Sequence, residues 1–297
     1  MSYSTGSAAD LAGLRQSLFD ACTADGWTLT GEILSKGTMF LRVQIVSGYL
    51  TFLGGTGQSA GALTGAAGAV SRIGLFAGQA LVFPVKYEIF TFAAEVYLVV
   101  NYNVSCYQWA AFGRTTVQGV PGTGMWFGAS VHADNAINIG MLHNGGSGST
   151  NYCIPALFYR DRSFGTWGAG LVECKVHHGL DSLNWSDGVN TANPGASAID
   201  ALYPLLGMLP NAWNSEAILL PIRVFLPRPS NKLSLVADIE HARYTRVDNY
   251  TPGDIITLGA DRWKVFPWYL KNAAARTGGA NVTHSGTFGW AVRYEGP

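Results

Sequence analysis

Short β-forming runs separated by glycine turns constrain the fold of this chain more than any other feature. The clearest case is GDIITLGADRWKVFPWYLKN at residues 253–272. Residues 255–258 and 263–266 are rich in β-branched and aromatic side chains, and a Gly-Ala-Asp turn lies between them, which predicts a β-hairpin. The segment SGTFGWAVRYEG then supplies a closing strand. We predict a C-terminal hairpin region over about residues 253–295.

Earlier segments repeat this alternation of β-forming runs and turns. Apolar and polar residues alternate in residues 39–46 and 49–53, and glycine-containing turns flank both runs, so a β-meander is predicted. The run EVYLVVNYNVSCYQWAAFG predicts a long strand that turns near residues 101–103. The sequence therefore predicts a mainly β fold, β-sandwich-like and built from antiparallel strands and hairpins, in a single domain of residues 1–297.

One helix is predicted near the N-terminus, at about residues 10–25. Leu11, Leu14 and Leu18 lie on one stripe, Asp10 is placed to cap the first turn, and Gly26 is placed to end the helix. The residues that precede it, MSYSTGSAAD, are expected to run over an adjacent subunit. They contain no basic segment followed by an apolar one, so no secretory signal is predicted.

Residues 54–74, GGTGQSAGALTGAAGAVSRIG, are rich in small residues and have no periodic face. They are predicted to be a Gly-rich loop that becomes ordered only against a neighbour. GQSAG within it matches the Gly-x-Ser-x-Gly motif of serine hydrolases at Ser59, but Gly65 and Gly68 spoil the helix that the motif requires. A partial dinucleotide fingerprint lacks its βαβ context. The loop interpretation is favoured, and neither a catalytic residue nor a cofactor is predicted.

The charge content of the chain points towards assembly. Charged residues make up 13% of the 297 residues and the formal net charge is zero, whereas an average soluble domain is about 25% charged. This composition suggests that other subunits cover part of the surface. It is not basic enough for a nucleic-acid footprint, and charges interrupt every apolar run of about 20 residues, so neither nucleic acid nor membrane is an expected partner. The four cysteines are predicted to be reduced, buried thiols.

Histidine and carboxylate positions give no clear site. His177 and His178 are adjacent to each other, with Cys174 nearby, but neighbouring residues on a strand point to opposite faces, so structural histidines are favoured over a metal site. The carboxylates considered for a glycosidase pair have no distinguishing spacing; they are Asp134, Asp161, Asp181 and Asp187. Three tryptophans fall in predicted loops, where their rings would stack on sugars or anchor a subunit interface. They are Trp126, Trp167 and Trp185.

Several segments taken together resemble a group of tailed-bacteriophage virion structural proteins. The start MSYSTG with a helix that ends in GWT is one, and the central VYLVVNYNVSCYQWAAFGRT is another. The closing segments are LVADIEHARYTR, GDIITLGADRWKVFPW and GTFGWAVRYE. The resemblance covers both ends and part of the middle but little of residues 120–220. At EHARY the chain departs from the pattern, which has a small acidic-glycine turn there, so the register of that strand stays open.

The resemblance implies a structural virion component, present in the tail or baseplate, with a capsid-decorating or neck role as an alternative. It implies copies of the chain and other virion proteins as partners, assembly in the host cytoplasm and location in the virion, and it supplies no catalytic residues. A second hypothesis is a host-surface glycan-binding module that uses the three loop tryptophans. A third is an enzyme, either a serine hydrolase at Ser59 or a glycan depolymerase that uses loop carboxylates.

Overall fold

A computed structural model describes residues 1–76, 79–132, 138–139, 152–153, 156–158, 174–182, 185–187, 219–228, 230, 232–247, 249–271 and 288–297. Helix α1 is Leu11–Ala24. The strands of the N-terminal part are β1 (Ser2–Ala8), β2 (Thr28–Thr30), β3 (Ile33–Lys36), β4 (Met39–Val46), β5 (Tyr49–Gly55), β6 (Gly57–Ser59), β7 (Ala62–Thr64), β8 (Ser71–Ile73), β9 (Val85–Thr91), β10 (Glu95–Asn103) and β11 (Cys106–Arg114). The strands that follow are β12 (Met125–Ala129), β13 (Val131–His132), β14 (Asn138–Ile139), β15 (Tyr152–Cys153), β16 (Cys174–His177), β17 (Trp185–Asp187), β18 (Leu220–Arg228), β19 (Lys232–Arg246), β20 (Ile255–Leu258), β21 (Asp261–Pro267) and β22 (Phe288–Arg293).

These strands form three large antiparallel sheets. The seven-stranded sheet has the order β1-β9-β10-β11-β12-β16-β17, the six-stranded sheet β13-β8-β5-β4-β3-β2, and the five-stranded sheet β18-β19-β22-β21-β20. Two short pairs, β6-β7 and the parallel β14-β15, complete the described strands. The predicted mainly β fold with an N-terminal helix is confirmed, as is the C-terminal hairpin of β20 and β21.

The seven-stranded sheet is the middle layer of the described fold. One face meets the five-stranded sheet through large aromatic rings, such as Trp109 against Trp290 of β22 at 5.7 Å between ring centroids. The other face meets α1 and the six-stranded sheet, where Trp27 packs edge-on against Phe112 at 5.3 Å. Because β10 is covered on both faces, every residue from Glu95 to Val100 is buried. This double burial is the reason for the unbroken apolar run in the sequence.

Helix α1 begins and ends at the signals read from the sequence. The Asp10 carboxylate accepts the Gly13 amide at 2.7 Å, which satisfies one of the free N–H groups of the first turn. Gly26 has φ +82°, and the chain turns out of the helix there. Leu14 and Leu18 are completely buried against the sheets. The helix was therefore predicted within one residue at each end.

A bulge in β19 is the irregular feature that joins the middle layer to the five-stranded sheet. Pro221 of β18 pairs with Arg243, but the next residue, Ile222, pairs with Ile239. Glu240 and His241 therefore pair with neither neighbouring strand, since the pairing of β19 with β22 starts only at Ala242. This is the EHARY segment whose register the sequence left open.

The carboxylate of Glu95 on β10 accepts hydrogen bonds from the backbone amides of the bulge on its core side. It accepts the Glu240 and His241 amides, each at 2.9 Å, and lies 2.8 Å from Nδ1 of His241. The Tyr97 hydroxyl donates to it at 2.6 Å. Glu95 is only 1% exposed, and such a buried carboxylate is stable only when its oxygens are hydrogen-bonded. Burial and the neighbouring carboxylate raise the pKa of Tyr97.

The Arg243 guanidinium donates hydrogen bonds to the backbone carbonyls of the bulge on the opposite side. Its Nη1 donates to the carbonyls of Ile239, Glu240 and Ala242 at 3.1, 2.7 and 2.7 Å. The guanidinium lies 4.8 Å from the Trp263 ring centroid, and burial lowers its pKa. The amides of the bulge thus point to an anion in the core, and its carbonyls point to a cation on the opposite face.

The N-terminal strand is held by its own chain. Tyr3 on β1 donates to Glu88 of β9 at 2.6 Å, and the ammonium of Lys264 on β21 contacts Glu88 and lies 3.1 Å from the Tyr3 hydroxyl. Burial lowers the Lys264 pKa, but its bonds to Glu88 and Tyr3 outweigh burial, so the pKa is raised. The prediction that these first residues run over an adjacent subunit was wrong, because all seven residues of β1 pair with β9.

The prediction that residues 54–74 form a Gly-rich loop was also wrong. It contains the β6-β7 hairpin and β8, which pairs with β5 in the six-stranded sheet. Gly54 shows why small residues are needed there, since a Cβ on it would lie 2.6 Å from the Phe127 ring. Gly54 allows the end of β5 to pack closely on Phe127 of the middle layer, and Gly55 allows it to pack on Leu63 of the hairpin, so abundant glycine does not indicate an absence of regular structure.

Replacing Glu95 with Gln tests the role of the buried carboxylate. The amide would place an N–H₂ donor against the donors of the bulge, so we expect E95Q to lower the free energy of unfolding by about 2 to 4 kcal/mol. Urea denaturation measures the change. E240Q is the control: the Glu240 side chain is exposed and takes no part in these bonds, and its backbone amide, which does, is unchanged, so stability should change by at most about 0.5 kcal/mol. Equal stabilities of E95Q and E240Q would contradict this role.

Candidate functional site

The three tryptophans proposed for sugar stacking do not form a surface site. Trp126 lies on β12 and is 0% exposed, packed 6.1 Å from Phe158 and 6.2 Å from Tyr97. Trp185 lies on β17 and is half-buried. Both were wrongly predicted to be in loops, and Trp167 lies outside the described residues. A buried ring such as that of Trp126 has no face to offer a sugar.

Trp185 anchors the β6-β7 hairpin to the middle layer. Its Nε1 donates to the Gly65 carbonyl at 2.9 Å. Its ring packs against Phe127 at 5.7 Å and against His177 at 5.1 Å. These contacts give the Trp185 indole a structural role, so its position is explained without a ligand.

Ser59 stands at the end of β6, beside the two-residue turn that leads into β7. It is exposed, and the chain continues into a strand rather than a helix. The nucleophile elbow needs a strand followed by a helix, which holds the serine above a sheet. The serine-hydrolase interpretation of GQSAG therefore lacks its structural context.

His177 and His178 are held by the backbone around them. Nδ1 of His177 accepts the Thr123 amide at 2.9 Å, and Nδ1 of His178 accepts the Leu180 amide at 3.0 Å. Burial lowers the pKa of both imidazoles, and for His178 the proximity of His177 adds to this effect. The Sγ of Cys174 accepts the Phe158 amide at 3.2 Å. In the part of the chain that the structure describes, no group of three His, Cys, Asp or Glu side chains is placed to hold a metal ion.

The candidate carboxylates do not form a described pair. Asp181 makes an ion pair with Arg228 of β18. Asp134 and Asp161 lie outside the described residues, as does the side chain of Asp187. A glycosidase requires two carboxyl groups that flank one bond of the substrate, and only Asp181 of the four can be placed.

The cluster of Glu95, Tyr97 and His241 combines groups typical of acid–base catalysis, and the sequence did not suggest it. Glu95 and Tyr97 are completely buried, and the His241 ring stacks on Phe92 at 3.8 Å. A general base must reach the proton of a bound substrate, but every contact described for this carboxylate is to the protein's own donors. The cluster is therefore a structural network.

A surface cavity of about 340 Å³ lies beside the β11-β12 connection. It is lined by residues 114–120 and 122–124 together with Ala94. Arg114 is the charged group of this lining, and the described lining contains no carboxylate, imidazole or thiol. A nucleophile with a neighbouring base is the minimum for covalent catalysis, and the closest approach to one here is Thr123, whose Oγ1 lies 3.1 Å from Nδ1 of His177. That nitrogen already accepts the Thr123 amide at 2.9 Å, so it is engaged by the backbone.

The described surface that does call for an explanation is apolar. Large apolar side chains that are exposed among the described residues are Met1, Ile45, Val46, Leu75, Val82, Val104, Ile255 and Leu258. Val104 is the extreme case, at 86% exposed. Single exposed apolar residues need no explanation, but a group of them indicates an interaction surface.

Five of these residues lie at one end of the molecule. Strand pairing places Val46 opposite Tyr49 at the β4-β5 turn, and Leu50 opposite Ile73, two residues before Leu75. Gly74, which lies between Ile73 and Leu75, exchanges two hydrogen bonds with Gln108 of β11, near the β10-β11 turn. That turn carries Val104.

Val82 belongs to the same end, because β9 begins there. Lys86 pairs with Asn101, which brings the start of β9 beside the β10-β11 turn. We call this surface the apolar end; its members are Ile45, Val46, Leu75, Val82 and Val104. Val104 in NYNVSC was detectable from the sequence, because an apolar residue at the tip of a polar turn has no core to face.

A second exposed apolar surface lies on the C-terminal hairpin. Ile255 and Leu258 are exposed on β20, which is an edge strand of the five-stranded sheet as described. Asp254 and Asp261 flank them in the sequence. We call these four residues the hairpin edge. An edge strand with apolar side chains is a common place for another chain to bind.

Comparison with known proteins adds no family to these observations. No protein-family model and no curated protein matches the chain. Among the described residues, no helix has the length and apolar character needed to cross a membrane.

The two histidines predict how stability depends on pH. Their pKa values are lowered in the folded state, so the unfolded chain binds more protons below about pH 6.5. The contribution of the two neutral histidines to the free energy of unfolding is complete above that pH and is lost as the pH falls through their folded-state pKa values. Asn is a matched replacement for His178, because its Oδ1 is placed to accept the Leu180 amide. The loss of melting temperature between pH 7.5 and 5.5 should be smaller in H178N than in the wild type.

The same experiment separates this structural role from a metal site. Melting is repeated with Zn²⁺ and with EDTA, and the structural role predicts no difference between them. A Zn²⁺-dependent rise in melting temperature that H178N abolishes would contradict it.

Proposed function

We propose that this chain is a structural component of a tailed-bacteriophage virion, in the tail or baseplate, and that it acts by assembling with copies of itself and with other virion proteins. The observation that carries the proposal is the pair of exposed apolar surfaces, the apolar end and the hairpin edge, on an otherwise well-packed β body. Exposed groups of this kind are typical of protein–protein contacts.

The placement of the resembling segments supports this proposal. MSYSTG corresponds to β1, the central segment to β10 and β11, and the closing segments to β19, β20, β21 and β22. These strands build the middle layer and the five-stranded sheet, so the resemblance lies in the framework of the fold rather than in a pocket. A zero net charge and 13% charged residues suit a chain that is surrounded by other subunits.

The alternatives have less support in the described residues. Trp126 is buried and Trp185 anchors a hairpin, so two of the three tryptophans proposed for glycan binding already have structural roles. Ser59 lacks the nucleophile elbow, and Glu95, His177 and His178 serve the fold. A capsid-decorating or neck position would use the same surfaces. Locating the chain in the assembled particle distinguishes these positions.

The test is the native mass of the purified protein, alone and after addition of the other virion proteins. We expect a defined multimer whose fraction grows with concentration, or its formation when the virion proteins are added. Native mass spectrometry over about a hundredfold range of concentration measures it. The S59D variant, which adds a charge at an exposed position away from both surfaces, is the control and should assemble like the wild type.

A protein that stays monomeric throughout this range, and that does not enter particles when the other virion proteins are present, would contradict the proposal. The glycan-binding module and the enzyme would then be the hypotheses to test. Glycan binding by this monomer would favour the first, and turnover that S59A abolishes would favour the second.

A further inference from the structure

We propose that the apolar end of one copy binds the hairpin edge of the next, so that the protein assembles head to tail. This inference rests on the proposed function, because it names the partner and the surfaces of that assembly. The occupant of the apolar end is thus a second copy of this chain, which presents Ile255 and Leu258.

The charges of the two surfaces are complementary. Lys86 is exposed at the apolar end, and the backbone of Lys271 bonds to Ser105 in the turn that carries Val104. An acidic residue at this end, Asp10, uses its carboxylate to cap α1. The hairpin edge has Asp254, which is exposed and whose carboxylate accepts the Thr251 amide at 2.7 Å. Neither Lys86 nor Asp254 has an ion-pair partner among the described residues, so each is available to the other across a contact.

The second acid of the hairpin edge, Asp261, has a side chain that is 44% exposed and pairs with Arg293. Two further cations on β21 are directed into their own chain, since Arg262 donates to the Gly296 carbonyl and Lys264 contacts Glu88. Among the described residues of this edge, Asp254 is therefore the charge without an ion-pair partner that lies beside Ile255 and Leu258.

The two surfaces lie at different positions along β21. The hairpin edge runs beside this strand from Asp261, which pairs with Leu258, to Val265, whose amide donates to the Asp254 carbonyl. Beyond the end of the strand, Leu270 forms a bridge with Cys106 beside the β10-β11 turn. The seven residues of β21 span about 20 Å at 3.3 Å per residue. Because two different patches are joined, the contact is heterologous, and it generates a closed ring or an open filament rather than a two-fold dimer.

A single contact of this kind is expected to be weak. The seven apolar residues of the two surfaces are far fewer than the about 20 to 30 residues per side of a standard interface. Closure of a ring makes the last contact intramolecular, so the complete assembly is more stable than any one contact. We therefore expect assembly to be steeply dependent on concentration.

Two single variants, used separately and mixed, test the proposal. V104D places a carboxylate on the apolar end, and L258D places one on the hairpin edge; both positions are exposed, so the fold should be unaffected. Each variant alone should assemble at least about tenfold less well than the wild type. Mixed in equal amounts at the highest concentration of the range, they should form a one-to-one dimer, because the intact hairpin edge of V104D meets the intact apolar end of L258D. This dimer has a single contact, so it should be less stable than the wild-type assembly.

Native mass spectrometry with one variant isotopically labelled identifies this dimer, and S59D is again the charge control. Wild-type assembly of either variant alone, or the absence of the mixed dimer, would overturn the head-to-tail contact. If the wild type forms multimers in these cases, or enters particles only through other virion proteins, the proposed function stands without this contact. If the wild type neither self-associates nor enters particles, both proposals fail.

Discussion

The buried carboxylate of Glu95 is the constraint on which the arrangement of the layers depends. A bulge removes Glu240 and His241 from the sheet ladder, and their amides would be unsatisfied in the core without an acceptor. Glu95 supplies that acceptor from the middle layer, and Arg243 satisfies the carbonyls on the far side. The bulge therefore fixes where the five-stranded sheet sits on the middle layer, because hydrogen bonds are directional whereas the aromatic contacts around them are less so.

The rest of the interface follows from this point. Asp238, close to the bulge, donates its amide to Thr115 at 2.9 Å, and Trp268 stacks on Trp290 at 4.8 Å. At the other side of the sheet, Lys264 connects to Glu88 and Tyr3. Large rings fill the space between polar contacts at both sides, so sliding of one sheet over the other would break specific bonds as well as apolar packing.

Local signals in the sequence were sufficient for the elements but not for their packing. Asp10 and Gly26 mark the ends of α1 because capping depends on a few adjacent residues, and the β20-β21 hairpin has its turn residues in place. Trp126 and the glycines of residues 54–74 were misread, because burial and close approach depend on distant partners such as Tyr97 and Phe127. The partners of Glu95 lie about 145 residues away along the chain, and no local pattern announces such a pair.

A rigid body that presents two complementary surfaces is the central claim, and amide hydrogen exchange of the free and assembled protein tests it most directly. The account predicts that the Glu240 and His241 amides are strongly protected in both states. It predicts that the Val104 turn and residues 255–258 become protected only on assembly. Rapid exchange of the two bulge amides in the free protein would contradict the rigid body, and unchanged exchange at both surfaces in the assembled protein would contradict their role.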